Sequence, residues 1–229
     1  MRHESPAVRD GIYLHDASGV TMAHNLLIAN SHFGVHARVV SDRMGKNAAG
    51  ERVSLGCRRL NVLGNLFVDN YRGHLCLPDD SAVANDNRSE HNLLTSGVTW
   101  QWHGPGWLPF HAACHEASVT GVDPAVNGRD VGMTLDQWRQ RTARDIHSGH
   151  MVFGEHEIDN GAVSKAEIHL APLPLRLALG PIVDQAAVAV PAIAGVDHDL
   201  LGHKIGSSAR PGPIQISGTF HIWPVPKMP

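Results

Sequence analysis

The sequence predicts an all-β protein, a parallel β-helix that forms a solenoid of stacked coils, completed by a short helix and a C-terminal β-rich cap. Three observations lead to this fold class. Apolar residues alternate in short bursts, the bursts recur at fixed offsets, and Gly and Asn residues separate them. An open solenoid end would expose unpaired strand edges, so the prediction requires a cap.

The first element is a repeat with an offset of 40 residues. Segment 20–38, VTMAHNLLIANSHFGVHAR, matches segment 60–78, LNVLGNLFVDNYRGHLCLP, in its pattern of apolar and polar residues. The alignment places Asn25 on Asn65, and a third copy in EHNLLTSG gives Asn92 the same position. Short strands that recur between Asn and Gly turns are typical of stacked coils.

The second element is a shorter offset of 23 residues, which relates GIYLHD to GVHAR. We interpret the shorter offset as one bare turn of the chain. The longer offset then contains an insertion, VVSDRMGKNAAGERVS, whose polar and Gly-containing sequence is typical of a loop. The repeat unit is therefore about one coil.

The chain divides into three predicted parts. Residues 1–97 contain the coils, residues 98–130 form an irregular flank segment, and residues 131–229 contain the short helix and the β-rich cap. The helix lies in TLDQWRQRTARDIHSG, where Thr134 is the expected N-cap and Gln137 completes a capping box. Short, Pro-bounded and partly alternating segments follow the helix and predict the strands of the cap.

Composition excludes several classes of protein. With 229 residues, a hydrophobic content of 42% and a formal charge of −3, the chain is expected to be soluble and globular. It has no Lys/Arg run and no apolar stretch of about 20 residues, so we expect no nucleic-acid partner and no membrane span. The three cysteines show no C-x-x-C spacing, so neither a disulfide framework nor a zinc ribbon is predicted. The N-terminal residues lack the apolar run of a signal peptide.

Residues 11–97 resemble the right-handed parallel β-helix repeat of the pectate-lyase-like superfamily. The segments GIYLHDASGVTMAHNLLIANS and GNLFVDN carry this resemblance. It implies a right-handed helix, a carbohydrate-active protein, an extracellular or periplasmic location, and a chain that is the C-terminal portion of a longer protein. It also implies a structural role for three residues that resemble the buried turn asparagines of the family, namely Asn25, Asn65 and Asn92.

A second resemblance concerns the segment that follows the coils. A helix ending in a W…D.HS pattern is found as a tail in bacterial β-helix carbohydrate-active proteins, and the corresponding residues here are Trp138, Asp145, His147 and Ser148. The resemblance implies that this tail packs against the last coils.

Strand alternation predicts which side chains face outward from the coils. If Ile12 and Leu14 face the core, two outward ladders result. They consist of Tyr13, His36 and Cys76, and of His15, Arg38 and Pro78, with Asp16, Asp79 and Asp80 at the strand ends. Because Tyr stacks on sugar rings and Arg pairs with uronate carboxylates, this face predicts a saccharide cleft with Tyr13, His36 and Asp80 in substrate binding. The alternative is a solvated face whose aspartates end turns.

Glycoside hydrolysis is the predicted activity, and its catalytic candidates are Asp16, Asp79, His15 and Arg38. Two coils apart, Asp16 and Asp79 would be separated by about 9.6 Å, at the upper edge of the range of roughly 6.5–9.5 Å in inverting enzymes. The first alternative is a polysaccharide lyase, in which His15 or His36 removes a proton from a uronate and Arg38 stabilises the developing charge. The second is a protein that only binds glycans or serves as a structural spacer.

A polysaccharide or oligosaccharide is the expected partner, and no cofactor or metal site is predicted. The motif HAACHEA contains zinc-type ligands, but it matches no closed motif and would need His103 or His150 from elsewhere in the chain. We therefore interpret its polar residues as separately satisfied side chains; these are His111, Cys114, His115 and Glu116. The oligomeric state is not predicted.

Overall fold

The computed structural model describes residues 10–38, 44–54, 56–78, 86–96, 108–113, 130–152, 175–177, 188–213, 215 and 220–222. Within these ranges the chain forms eighteen short strands and one helix. In chain order they are β1 (Ile12–His15), β2 (Thr21–Ala23), β3 (Leu26–Ile28), β4 (Phe33–Arg38), β5 (Met44–Lys46), β6 (Arg52–Ser54), β7 (Asn61–Leu63), β8 (Leu66–Val68), β9 (Gly73–Pro78), β10 (Arg88–Glu90), β11 (Leu93–Ser96), β12 (Phe110–Ala113), β13 (Asp130–Met133), α1 (Leu135–Thr142), β14 (Gly149–Val152), β15 (Leu175–Leu177), β16 (Val190–Pro191), β17 (Ser208–Ala209) and β18 (Phe220–Ile222).

Three sheets of mainly parallel strands dominate the described part of the chain. Sheet 1 has the spatial order β1, β4, β9, β12, β13; sheet 2 has the order β2, β7, β10; and sheet 3 has the order β3, β8, β11, β14. The pairings within these sheets are parallel, except that β12 and β13 are antiparallel. Three two-stranded antiparallel pairs, β5 with β6, β15 with β18 and β16 with β17, lie outside them.

This arrangement contradicts the predicted fold class, a single right-handed parallel β-helix with a β-rich cap. The described strands are mostly β as expected, but they form six separate sheets with one short helix and no closed solenoid. Sheet 1 ends in the antiparallel pair of β12 and β13, and sheet 3 continues with β14, which follows α1 rather than a strand of sheet 2. A regular solenoid would instead repeat one supersecondary unit from coil to coil.

The strand registers nevertheless reproduce the two offsets of the sequence repeat. Ile12 of β1 lies opposite Val35 of β4, 23 residues later. Leu26 of β3 lies opposite Leu66 of β8, 40 residues later, and Leu66 lies opposite Leu93 of β11, 27 residues later. The two longer offsets differ because only the first contains the hairpin of β5 and β6.

Side chains from all three sheets pack into one core. Burying an aliphatic or aromatic side chain contributes about 1.5–3 kcal/mol to stability, so a shared core holds the three sheets together. Its fully buried members include Val35, Leu75 and Leu77 from sheet 1, Val62 from sheet 2, and Phe67 and Leu94 from sheet 3.

A line of asparagine side chains connects the turns between sheets 2 and 3. Asn65 Oδ1 accepts hydrogen bonds from the backbone N–H of Asn25 at 2.9 Å and from its side-chain amide at 3.0 Å. Asn92 Oδ1 accepts from the backbone and side chain of Asn65 in the same way, at 2.9 and 3.2 Å. The amides therefore satisfy backbone groups inside the turns. Each asparagine follows a residue in the left-handed region, namely His24, Gly64 and His91.

Helix α1 begins with the capping box that the sequence predicts. Thr134 Oγ1 accepts from the backbone N–H of Gln137, and the Gln137 side chain accepts from the backbone N–H of Thr134. Trp138, on the inner face of the helix, is fully buried and stacks on Phe110 of β12 with ring centroids 5.3 Å apart. Among the described residues, no helix is long and apolar enough to cross a membrane.

Residues 188–213 lie against the turn that contains Gly64. The N–H of Gly212 donates to the carbonyl of Gly64 at 2.8 Å, and Nδ1 of His24 donates to the carbonyl of Arg210 at 3.1 Å. Gly64 has a φ of 62°, and a Cβ added to it would lie 2.6 Å from Val190. This contact therefore requires glycine at position 64.

Candidate functional site

One transverse row of side chains crosses the outer face of sheet 1. The strand registers place Tyr13, His36, Cys76 and His111 next to one another on β1, β4, β9 and β12. The alternate residues of these strands point into the core, so the row lies on the opposite face. Tyr13 is 46% exposed, whereas Cys76 is fully buried and packs against Phe33. The row is therefore open to solvent at Tyr13 and covered at Cys76.

The structure places two members of the predicted catalytic set side by side. His15 Nδ1 lies 3.2 Å from Asp16 Oδ2, and His15 lies opposite Arg38 in the register of β1 and β4. The side chain of Arg38, and all of Asp79 and Asp80, lie outside the described residues. The separation of Asp16 from Asp79, on which the hydrolase hypothesis depends, stays a prediction.

The residues of the predicted histidine-rich motif are only partly described. His111 lies in β12 of sheet 1, and His150 lies in β14 of sheet 3. The interpretation of this motif as separately satisfied side chains stays a prediction. Its remaining residues fall outside the described ranges; they are His103, Cys114, His115 and Glu116.

A cluster of one carboxylate and two imidazoles lies beside the open end of the row. Asp10 Oδ1 is 2.6 Å from His32 Nδ1, and Asp10 Oδ2 is 3.1 Å from His36 Nδ1. The backbone N–H of Phe33 donates to Asp10 Oδ1 at 3.0 Å. The Asp10, His32 and His36 side chains are 10%, 11% and 14% exposed. A single carboxylate thus orients two imidazole rings that are almost shielded from solvent.

The close approach of two glycines positions Asp10. Gly11, the next residue, donates its N–H to the carbonyl of Phe33 at 2.9 Å. A Cβ on Gly11 would lie 2.6 Å from the carbonyl oxygen of Gly34. Any side chain at position 11 would therefore push β1 away from β4, and it would carry Asp10 away from the two histidines.

The surroundings of His32 favour its neutral form. Its Nε2 accepts a hydrogen bond from the Arg72 guanidinium at 2.6 Å, so the ring proton lies on Nδ1 and points toward Asp10. Burial lowers the pKa of His32, and the charges of Arg72 and His36 lower it further, against the raising effect of Asp10. A neutral His32 links the carboxylate to the arginine.

Asp10 is held in its charged form. Burial by itself raises the pKa of the Asp10 carboxyl, but hydrogen bonds from His36, from the Phe33 backbone and from His32 outweigh burial and lower it. A charged carboxylate keeps the proton of His36 on Nδ1 and therefore places the lone pair on Nε2. This is the arrangement of an imidazole general base oriented by a carboxylate.

Aromatic rings and a cation surround this base. The Tyr13 ring meets the His36 ring edge-on at a centroid distance of 5.3 Å, and the Phe33 ring lies 5.1 Å from it on another side. The Arg72 guanidinium lies 5.2 Å from the Phe33 centroid, and the Arg72 side chain is exposed. The site therefore combines an oriented base, a fixed positive charge and an exposed aromatic ring.

Sequence reasoning missed three members of this site, namely Asp10, His32 and Arg72. The repeat contained the signal, because the offset of 40 residues places His32 on Arg72 in the neighbouring repeat unit. Asp10 directly precedes the first repeat motif, and the offset of 23 residues places it on Phe33, next to His32. Strand alternation did not reveal them because Asp10, His32 and Arg72 all lie just outside the strands.

A second depression lies between the turn at His24 and the segment around Asp199, and its volume is about 410 Å³. The Asp199 carboxylate accepts hydrogen bonds from the backbone N–H groups of Leu201, His203 and Gln215. These bonds lower the pKa of Asp199 although burial raises it. Asp199 therefore organises its own loop, and this depression offers no comparable set of oriented reactive groups.

The buried carboxylate of Asp145 belongs to the scaffold. It accepts hydrogen bonds from Trp138 Nε1 at 3.0 Å, from the Asn92 side chain at 3.0 Å and from Ser148 Oγ. Burial raises the pKa of Asp145, while these bonds act in the opposite direction. The asparagine line thus ends on the tail after α1, and in this tail His147 is exposed and pairs with Glu90.

Comparison of this chain with models of protein families, with curated proteins and with solved structures finds no match. The class that fold and site define is therefore a mostly β protein with a candidate acid–base site on the outer face of sheet 1. The resemblance of residues 11–97 to the pectate-lyase-like repeat remains an interpretation of the sequence.

Proposed function

We propose that the outer face of sheet 1 binds a uronate-containing polysaccharide and cleaves it by β-elimination, with His36 as the general base. The observation that carries this proposal is the Asp10 carboxylate, which bonds to Nδ1 of His36 and so presents the basic Nε2. The resemblance of the repeat to the pectate-lyase-like superfamily supports a glycan as the substrate class. An extracellular or periplasmic location belongs to the same proposal.

The reaction assigns one role to each group of the site. His36 Nε2 removes the proton α to the uronate carboxylate, and the electron pair forms a carbon–carbon double bond as the glycosidic C–O bond breaks. Water supplies the proton that the leaving oxygen takes up. Arg72 attracts the carboxylate and stabilises the negative charge that develops on it, while Tyr13 supports the sugar ring.

Elimination is better supported than the hydrolysis that the sequence favoured. Hydrolysis by two carboxyl groups needs an acid and a base on either side of the bond, about 5–9.5 Å apart. Asp16 is engaged with His15 at 3.2 Å, and Asp10, the other carboxylate near this face, is engaged with two imidazoles. An imidazole base beside an arginine is the combination that proton abstraction from a uronate requires.

The test is product formation by the whole chain on a panel of pectic, algal and bacterial uronate glycans. Elimination leaves an unsaturated sugar that absorbs in the ultraviolet, whereas hydrolysis leaves only a new reducing end. We expect His36→Gln to reduce the ultraviolet product by about 100-fold or more, because general-base catalysis contributes roughly 10²–10⁴-fold. Asp10→Asn should also reduce it, because the carboxamide no longer fixes the tautomer of His36.

His198→Gln is the matched control, since His198 is exposed and pairs with exposed Asp197 far along the chain. It should leave the rate unchanged. Equal rates for wild type and His36→Gln would overturn the proposal, and so would reducing ends without ultraviolet absorbance. Binding of a glycan without any product would replace the enzyme with a glycan-binding protein.

A further inference from the structure

The cluster beside β4 has the composition of a metal site as well as that of a base. We propose that Asp10, His32 and His36 bind a divalent transition-metal ion of the zinc type, and that Arg72 opposes this binding. One ligand atom from each of the three side chains lies within 4.8 Å of the other two. The donor set is one carboxylate oxygen and two imidazole nitrogens.

These distances suit a small ion with little movement of the side chains. Zinc lies about 2.0–2.2 Å from nitrogen and oxygen ligands, so neighbouring ligand atoms around a tetrahedral ion are roughly 3.4 Å apart. In the structure the carboxylate oxygens of Asp10 are 2.6 and 3.1 Å from the two Nδ1 atoms. A shift of a few tenths of an ångström would open the cluster around an ion. Three protein ligands leave one position for water or another ligand.

The donor set also selects the kind of ion. Imidazole nitrogen suits zinc, copper, nickel and iron, whereas calcium and magnesium take oxygen ligands almost exclusively. Two of the three donors here are imidazole nitrogens. We therefore expect zinc to bind and calcium and magnesium not to compete at similar concentrations.

Arg72 opposes the ion for a reason of proton position. It donates to His32 Nε2 at 2.6 Å, which requires the lone pair on Nε2 and the proton on Nδ1. A metal ion on Nδ1 needs the lone pair there, so the proton must move to Nε2, where it would face the N–H of Arg72. The guanidinium must then turn away, which an exposed side chain can do. Its positive charge adds to the repulsion of the ion.

A consequence for catalysis rests on the proposed function, whereas the binding itself does not. A metal ion on Nδ1 of His36 moves the proton of that ring to Nε2 and removes the lone pair that serves as the base. Zinc should then inhibit elimination in proportion to its occupancy of the site.

The experiment is isothermal titration calorimetry of the whole chain with zinc chloride. We expect one site, lost or weakened about tenfold or more in Asp10→Asn and in His32→Gln, and tightened about tenfold in Arg72→Gln, a range typical of changes around metal ligands. His203→Gln is the control, because His203 also pairs with a buried carboxylate, Asp199, but in a different part of the fold. It should bind zinc as the wild type does.

Cobalt supplies a second readout that does not depend on affinity. The wild-type chain loaded with Co²⁺ should show the intense visible absorption of a four-coordinate site, and Asp10→Asn should not. The circular dichroism of every variant is compared with that of the wild type, and Arg72→Gln, an exposed position, keeps the test valid if a ligand variant fails to fold. Unchanged zinc affinity in Arg72→Gln, or wild-type binding in Asp10→Asn, would overturn the inference.

The two proposals fail in distinguishable ways. Zinc binding that follows the expected order of variants, without any glycan product, supports the metal site and removes the elimination reaction. Ultraviolet product that depends on His36, without zinc binding, supports the reaction and removes the metal site.

Discussion

Replacing Asn65 by leucine should destabilise the protein by about 2 kcal/mol. Asn65 is fully buried, and its side chain accepts two hydrogen bonds from Asn25 and donates to the carbonyl of Met22 at 2.9 Å. The Asn65→Leu change leaves the Asn25 backbone N–H and the Met22 carbonyl without these bonds. Each buried group left unsatisfied costs about 1–3 kcal/mol, and the burial of the leucine side chain offsets about 1.5–3 kcal/mol of the sum. The net loss is therefore about 2 kcal/mol.

Urea denaturation followed by circular dichroism measures this loss as a lower transition midpoint with an unchanged slope. The control is Asn61→Ala in neighbouring strand β7, because Asn61 makes only a 3.3 Å bond to Thr21 at the surface. We expect the control to change the free energy of unfolding by less than about 0.5 kcal/mol. If Asn65→Leu and Asn61→Ala had the same midpoint, the reasoning that buried amides hold the turns together would be refuted.

Three further changes test other parts of the fold. Thr134→Ala should cost about 1 kcal/mol in unfolding experiments, because it removes the side-chain half of the capping box, and equal stability would show that the cap contributes nothing. Gly64→Ala should cost about 2 kcal/mol or more, since its φ of 62° is left-handed and the new Cβ would meet Val190 at 2.6 Å; a wild-type melting curve would contradict this contact. Burial lowers the pKa of His24, so the unfolded chain binds a proton that the folded chain refuses, and stability should fall as the pH drops below about 6.5. His24→Asn keeps an N–H donor for the Arg210 carbonyl and should flatten this dependence, and an unchanged slope of unfolding free energy against pH would exclude His24 as its source.

The sequence was sufficient to predict local pairing but not the overall class of fold. The offsets of 23 and 40 residues correspond to the pairing of Ile12 with Val35 and of Leu26 with Leu66, because side chains that share a core face must be in register. The prediction of a single solenoid was wrong because it extended this pattern beyond β11. The antiparallel turn at β13 and the insertion of α1 before β14 depend on tertiary packing around Trp138, which no repeat in the sequence indicates.

The candidate site was predictable only in part. Strand alternation predicted that Tyr13 and His36 share the outer face, and the register places them side by side. Alternation also suggested that Cys76 faces solvent, but Phe33 packs against it and it is fully buried. Turn residues follow no period of two, so the direction of the His32 side chain could not be deduced from the pattern.

The hairpin of β5 and β6 identifies where this chain tolerates a change of length. One repeat unit contains the hairpin and the next does not, yet both return to the same register, since backbone bonds fix the chain again where Arg58 pairs with Ala17 and Gly19. Lengthening a flexible loop is inexpensive, because each doubling of its length costs only about 0.6 kcal/mol. The hairpin tip at 47–50 is exposed and lies outside sheet 1. A tag or a whole folded domain can therefore be grafted at this tip while the neighbouring strands keep their alignment.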